Sequence, residues 1–186
     1  MGISAKQAVS ALQEKADINI ASHSSRFFKT AEGEYGEGDI FLGVRVPVIR
    51  GFVKQWMTMS LVQNEVLLHS PFHEVRLAAV ILLSEKFKRA DSELQLAIYQ
   101  LYLKNTAYVN NWDIVDSSAH KIVGPYLLDK DHLPLFKLIK SKHLWERRIA
   151  IIATFYFIKR QQFETALTLV EHILNHDEDL IHKASG

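Results

Sequence analysis

HEVRLAAVILL (residues 73–83) and WERRIAIIATF (residues 145–155) follow one plan: an acid, any residue, an arginine, then a run of apolar side chains. In the first, Val75, Ala78, Ala79, Leu82, Leu83 and, just beyond, Phe87 recur at helical spacing after a Ser70-Pro71 start. NWDIVDSSAHKIV from Asn111 lies between the two copies, and DLIHKASG from Asp179 follows them. These starts are separated by roughly 35 residues, the period of solenoids built from helix pairs. Further helical stripes appear at Leu94, Ile98, Leu101 and Tyr102 after the cap candidate Asp91, and over residues 133–139, 145–158 and 163–174. No Asn-Gly or Asp-Gly hairpin joins alternating segments. The sequence therefore predicts an all-α chain of stacked helical pairs, a form that presents a continuous concave face.

Composition agrees. The 186 residues are 48% hydrophobic and 23% charged, ordinary usage for a single folded domain. Four of the eight glycines fall between Gly33 and Gly43, so the helix breakers are concentrated in one loop, residues 30–45. That loop is glycine-rich like a phosphate cradle, yet no strand precedes it and no Gly-Lys-Ser/Thr follows, so a sharply turning connector is the expectation. No apolar run reaches membrane-spanning length, and the N-terminus lacks the pattern of a signal peptide. The absence of cysteine excludes disulfides and cysteine nucleophiles and suits a cytoplasmic location. Net charge is only +1, but residues 136–160 hold Lys137, Lys140, Lys142, Arg147, Arg148, Lys159 and Arg160 against Glu146 alone. Such a run reads either as a solvated face or as a surface for a polyanion.

The stretch around Trp112 is the richest in chemistry. Asn111 suits an N-cap, which makes Trp112 the first helical residue and places Asp113 in the positive first turn. Trp112 and Asp116 are spaced i, i+4 and share a face, putting a flat indole beside a carboxylate. A tryptophan packed between repeats and a solvated aspartate would show the same spacing. Trp145 and Arg148 stand i, i+3 apart one repeat later. There a guanidinium could grip a phosphate in bidentate fashion or pair internally, with Asp116 itself as one partner. His172 and His176 are i, i+4 with His182 beyond, but no glutamate follows the first histidine, so no metal site is expected. A Gly-x-Ser-x-Gly elbow is absent.

SSRFFKTAEGEYGEGDIFLGVRVP (24–47), VNNWDIVD (109–116) and WERRIA (145–150), in that family order, resemble the AlkD-like DNA alkylation repair family of HEAT-like DNA glycosylases. The likeness runs from about Ser24 to the last residue. It implies a right-handed superhelical solenoid of HEAT-like repeats over residues 1–186. The chain ends at LIHKASG, where the family pattern continues with a tryptophan and further helices, so a domain truncated at its C-terminal end is expected. The implied activity is hydrolysis of the N-glycosidic bond of cationic N3- or N7-alkylated purines, without a metal or nucleotide cofactor. Its implied partner is double-stranded DNA carrying such bases, bound by a monomer. The resemblance carries the catalytic carboxylate onto Asp116, the platform onto Trp112 and a backbone-gripping arginine onto Arg148. Trp145 and Arg147 lie beside Arg148, and Phe27 and Phe28 stand where the family places a DNA-facing aromatic. A non-catalytic scaffold that binds unusual DNA or a protein is the competing expectation.

Overall fold

The computed structural model describes residues 2–174 and 177–185. Every regular element among them is helical, apart from one isolated bridge between Ile40 and Phe72, so the all-α expectation holds. The chain divides into two compact units, Met1–Lys86 and Phe87–Gly186.

The first unit contains α1 (Ala5–Gln13), α2 (Ile18–Phe27), α3 (Val46–Gln55), α4 (Leu61–Leu68) and α5 (His73–Phe87, whose last turn crosses the boundary). Three of its helices open on side-chain caps. Ser4 forms a capping box with Gln7, Asp17 accepts from the N–H groups of Asn19 and Ile20, and Ser60 accepts from that of Gln63. From Val75 to Leu83 every side chain of α5 is buried, as befits a helix apolar on all sides.

The loop from α2 to α3 is fastened to α5 by polar contacts. Glu74 accepts from the consecutive N–H groups of Leu42, Gly43 and Val44 at 2.9, 2.7 and 3.2 Å. Three such amides in a row could hold a phosphate; here the chain's own carboxylate occupies them. Gly43 has φ +82°, and an added Cβ would run into the Asp17 carbonyl and lie 2.7 Å from the Ala21 nitrogen. The glycine is thus required by both conformation and close approach.

The second unit contains α6 (Ser92–Lys104), a 3-10 turn (Thr106–Tyr108), α7 (Trp112–Leu127), α8 (Leu133–Ile139), α9 (Leu144–Ile158), α10 (Glu164–Glu171) and α11 (Asp179–Ser185). Asp91 caps α6 and Asn111 caps α7, both as their sequences predict. At the centre lies α9, packed against α7, α8, α10 and α11, with Ile149 through Thr154 buried. Gly124 makes the α7–α9 crossing close: a Cβ there would strike the Ala153 carbonyl and stand 2.7 Å from the Tyr156 Cβ. The helix α10 is shorter than the stripe over residues 163–174 predicts, because Phe163 is its cap and the chain turns after Glu171.

Candidate functional site

Two helices build the site around Asp116. On α7, the Asn111 side chain accepts from the Trp112 N–H at 2.8 Å, starting the helix so that Asp113 lies in its first turn. Asp113 accepts from the Ile114 N–H at 2.9 Å, the helix-end role expected of it. One turn further, Asp116 faces α9. Arg148 donates to it from Nε to Oδ1 at 2.8 Å and from Nη2 to Oδ2 at 2.7 Å, a bidentate pair. Arg148 Nη1 donates to the Leu180 carbonyl of α11. One guanidinium therefore ties three helices, and with 6% of its side chain exposed it is the internal partner that spacing had left open. Of the two roles its spacing allowed, a phosphate grip and an internal pair, the donors here take the second, resting on protein oxygens.

Asp116 keeps 35% of its side chain exposed. In the first unit Arg76, at the position equivalent to Arg148, pairs with Asp39, which also accepts from His73 Nδ1 at 2.9 Å. Asp39 is only 5% exposed. The same arginine–aspartate device is sealed in one unit and open to solvent in the other, so Asp116 is the member that can meet a ligand.

Other side chains line the same stretch. Tyr102 of α6 shares a 2.9 Å hydrogen bond with Ser118 of α7. Burial drives its phenol well above the ordinary range against the Ser118 bond, with the Asp116 charge adding to the rise, so it stays neutral. His120, half-buried one turn beyond Asp116, has its imidazole held below the ordinary 6.5 by burial first, then by Lys121 and Lys159. Its i, i+4 spacing from Asp116 is legible in the sequence, but no motif marks it as functional. Glu146 accepts from the Thr106 hydroxyl at 2.6 Å. Burial raises its carboxyl, yet hydrogen bonds from Ser141 and Thr106 and the His143 charge outweigh that and lower it.

The remaining candidates differ in placement. Trp112 is half-buried, between the open platform and the packed residue that its spacing allowed. Trp145, expected to contact DNA, is buried at 5% exposure. Arg147 is half-buried, with Nη1 donating to the Ser141 carbonyl at 3.1 Å and Nε buried without a hydrogen-bond partner. Lys137, Lys140, Lys142, Lys159 and Arg160 are exposed. In the first unit Phe27 is 58% exposed and meets Phe28 edge-on, while half-buried Phe28 packs on Phe41 and His73 at ring separations of 5.1 and 5.0 Å.

Among the described residues no group of three or more acids or histidines could hold a metal, and no helix is long and apolar enough to cross a membrane. His172 Nδ1 lies 2.9 Å from the Thr168 carbonyl, while His176 and Gly186, the C-terminal residue, lie outside the described residues.

A family model described as DNA alkylation repair enzyme matches residues 8–186. The fold is similar to the solved structure of a predicted DNA alkylation repair enzyme from Enterococcus faecalis. The TM-score is 0.65 at 17% sequence identity, covering 91% of this chain and 79% of that one. No curated protein matches the sequence.

Proposed function

As the chain belongs to the DNA alkylation repair enzyme family, we propose that it hydrolyses the N-glycosidic bond of cationic N3- or N7-alkylated purines in duplex DNA, with Asp116 as the catalytic carboxylate. The observation that carries this reading is the half-exposed Asp116 held in bidentate contact by buried Arg148, where its counterpart Asp39 in the first unit is sealed.

The chemistry suits a single carboxylate. Most glycosidic sites need a second one, protonated, to assist the leaving group. An N-alkylated purine already carries a positive charge and departs neutral, so that acid is dispensable. The sugar left behind is oxocarbenium-like and is stabilised by a fixed negative charge nearby. Arg148 uses one lone pair on each Asp116 oxygen, and the others remain to accept from water. Arg148 is thus a positioning residue, and Trp112 supplies an apolar wall one turn away.

The test is release of 3-methyladenine or 7-methylguanine from methylated duplex DNA under single-turnover conditions. Asp116→Asn should slow release by about a hundredfold or more. Because it also weakens the pair with a buried guanidinium, it should cost about 1–2 kcal/mol of stability, discounted for the exposure of Asp116. Rates are therefore compared on the folded fraction. Parental release by the Asn variant would remove Asp116 from catalysis. DNA binding with no release by the parent would leave a non-catalytic scaffold. A monomer in the cytoplasm is the proposed setting, to be checked by sedimentation and by cell fractionation.

A further inference from the structure

Positions 116, 120 and 124 of α7 fall on one i, i+4 line. At its start Asp116 meets Arg148 of α9, and at its end Gly124 meets the Ala153 carbonyl and Tyr156 of α9. His120 stands between these two contacts, half-buried on the same side of α7. One of its ring nitrogens is engaged by the Asp116 backbone, which leaves the other as an acceptor while the ring is neutral. Burial, then Lys121 on its own helix and Lys159 at the end of α9, favour that neutral form; the Asp116 backbone and charge oppose them without prevailing. Arg148, the other charged group that α9 turns toward this line, is paired with Asp116. The helix α6 approaches α7 through neutral groups, Tyr102 at Ser118 and Tyr99 against Tyr126.

We propose that His120 is a second catalytic group of this site, the proton acceptor for the water that attacks the sugar C1′. This rests on the reading of Asp116 given above. The C1′–N bond breaks and its electron pair goes to the cationic base, which leaves neutral. The water oxygen bonds C1′, and its proton passes to the open ring nitrogen of His120, which later yields it to solvent. A cationic nucleotide and one water thus give a neutral base, an abasic sugar and one proton. Both Asp116 oxygens are held by Arg148, and protonation there would break the pair. The imidazole accepts a proton at no such cost.

The full-length protein, His120→Ala and His120→Gln are compared in single-turnover release from methylated duplex DNA between about pH 5 and 8, the range where an imidazole titrates. The parent should lose rate on the acid side with a midpoint below 6.5, because the group is active when neutral and its affinity for the proton is lowered. His120→Ala should release base about a hundredfold more slowly, the usual scale of general base catalysis. Its acid limb should vanish, and added imidazole should restore much of the rate. Duplex affinity should stay within about twofold. His120→Gln, which fills the same space, should be equally slow, separating the loss from any misfolding of the Ala variant. A His120→Ala protein with parental rate, or a slow one that keeps the acid limb and ignores imidazole, overturns the proposal while leaving Asp116 in place. A parent that releases no base overturns both.

Discussion

Arg148 illustrates how far a side chain's role depends on what it meets after folding. Its spacing from Trp145 placed it on a helix face but could not say whether the guanidinium would look outward or inward. The partner lies 32 residues away on another helix, and such a contact has no local signature. Three donors now rest on Asp116 and the Leu180 carbonyl. Arg148→Lys preserves charge but gives up the planar fork, so it cannot reproduce the two-pronged contact and the carbonyl bond together. Base release should fall at least tenfold, and thermal unfolding should show a loss of about 2–3 kcal/mol. Duplex affinity should be unchanged within about twofold. Weakened binding with intact stability would instead mean that the guanidinium reaches DNA phosphate.

The crossing of α7 and α9 is where element geometry fixes the site. An alanine in place of a helical glycine ordinarily stabilises by about 1 kcal/mol. At Gly124 the sign should reverse, because the new methyl would overlap the Ala153 carbonyl and press on Tyr156, forcing the helices apart. Gly124→Ala should lower stability by about 1–3 kcal/mol, the range for overpacking. It should also slow base release by drawing Asp116 away from Arg148. A raised melting temperature would show that the crossing has slack. Several helices were legible: residues 75–87, 133–139 and 145–158 carry apolar periodicity strong enough to read alone, and Asp91 and Asn111 announce the starts of α6 and α7. The early helices were not. In α2, INIASHSSRF has three serines and an asparagine that favour turns, and the helix stands on the Asp17 cap and burial of Ala21. The glycine-rich loop was readable as a connector, but its fastening by Glu74 is a tertiary fact.

At the scale of the whole molecule, composition and periodicity point to the helical class, while the two units are announced by no helix breaker, because α5 itself spans the boundary between them. Charge is a similar case. The total of +1 would not suggest a polyanion as ligand, while residues 136–160 carry seven bases and one acid. Folding reduces the number available. Arg148 is buried in its ion pair, and Arg147 is half-buried and donates to the Ser141 carbonyl. Lys137, Lys140, Lys142, Lys159 and Arg160 remain exposed. Each phosphate neutralised by such a base releases counterion and adds about −0.9 to the slope of log K against log salt. If this segment supplies the electrostatic contact, duplex affinity measured between about 50 and 200 mM salt should give a slope no steeper than about −4.5. Lys140→Gln and Lys142→Gln should each flatten the slope by about one unit at most, and Arg148→Lys should leave it unmoved. A slope indifferent to the lysine changes would take the DNA contact away from this segment, and a slope near zero would turn the chain toward a protein partner.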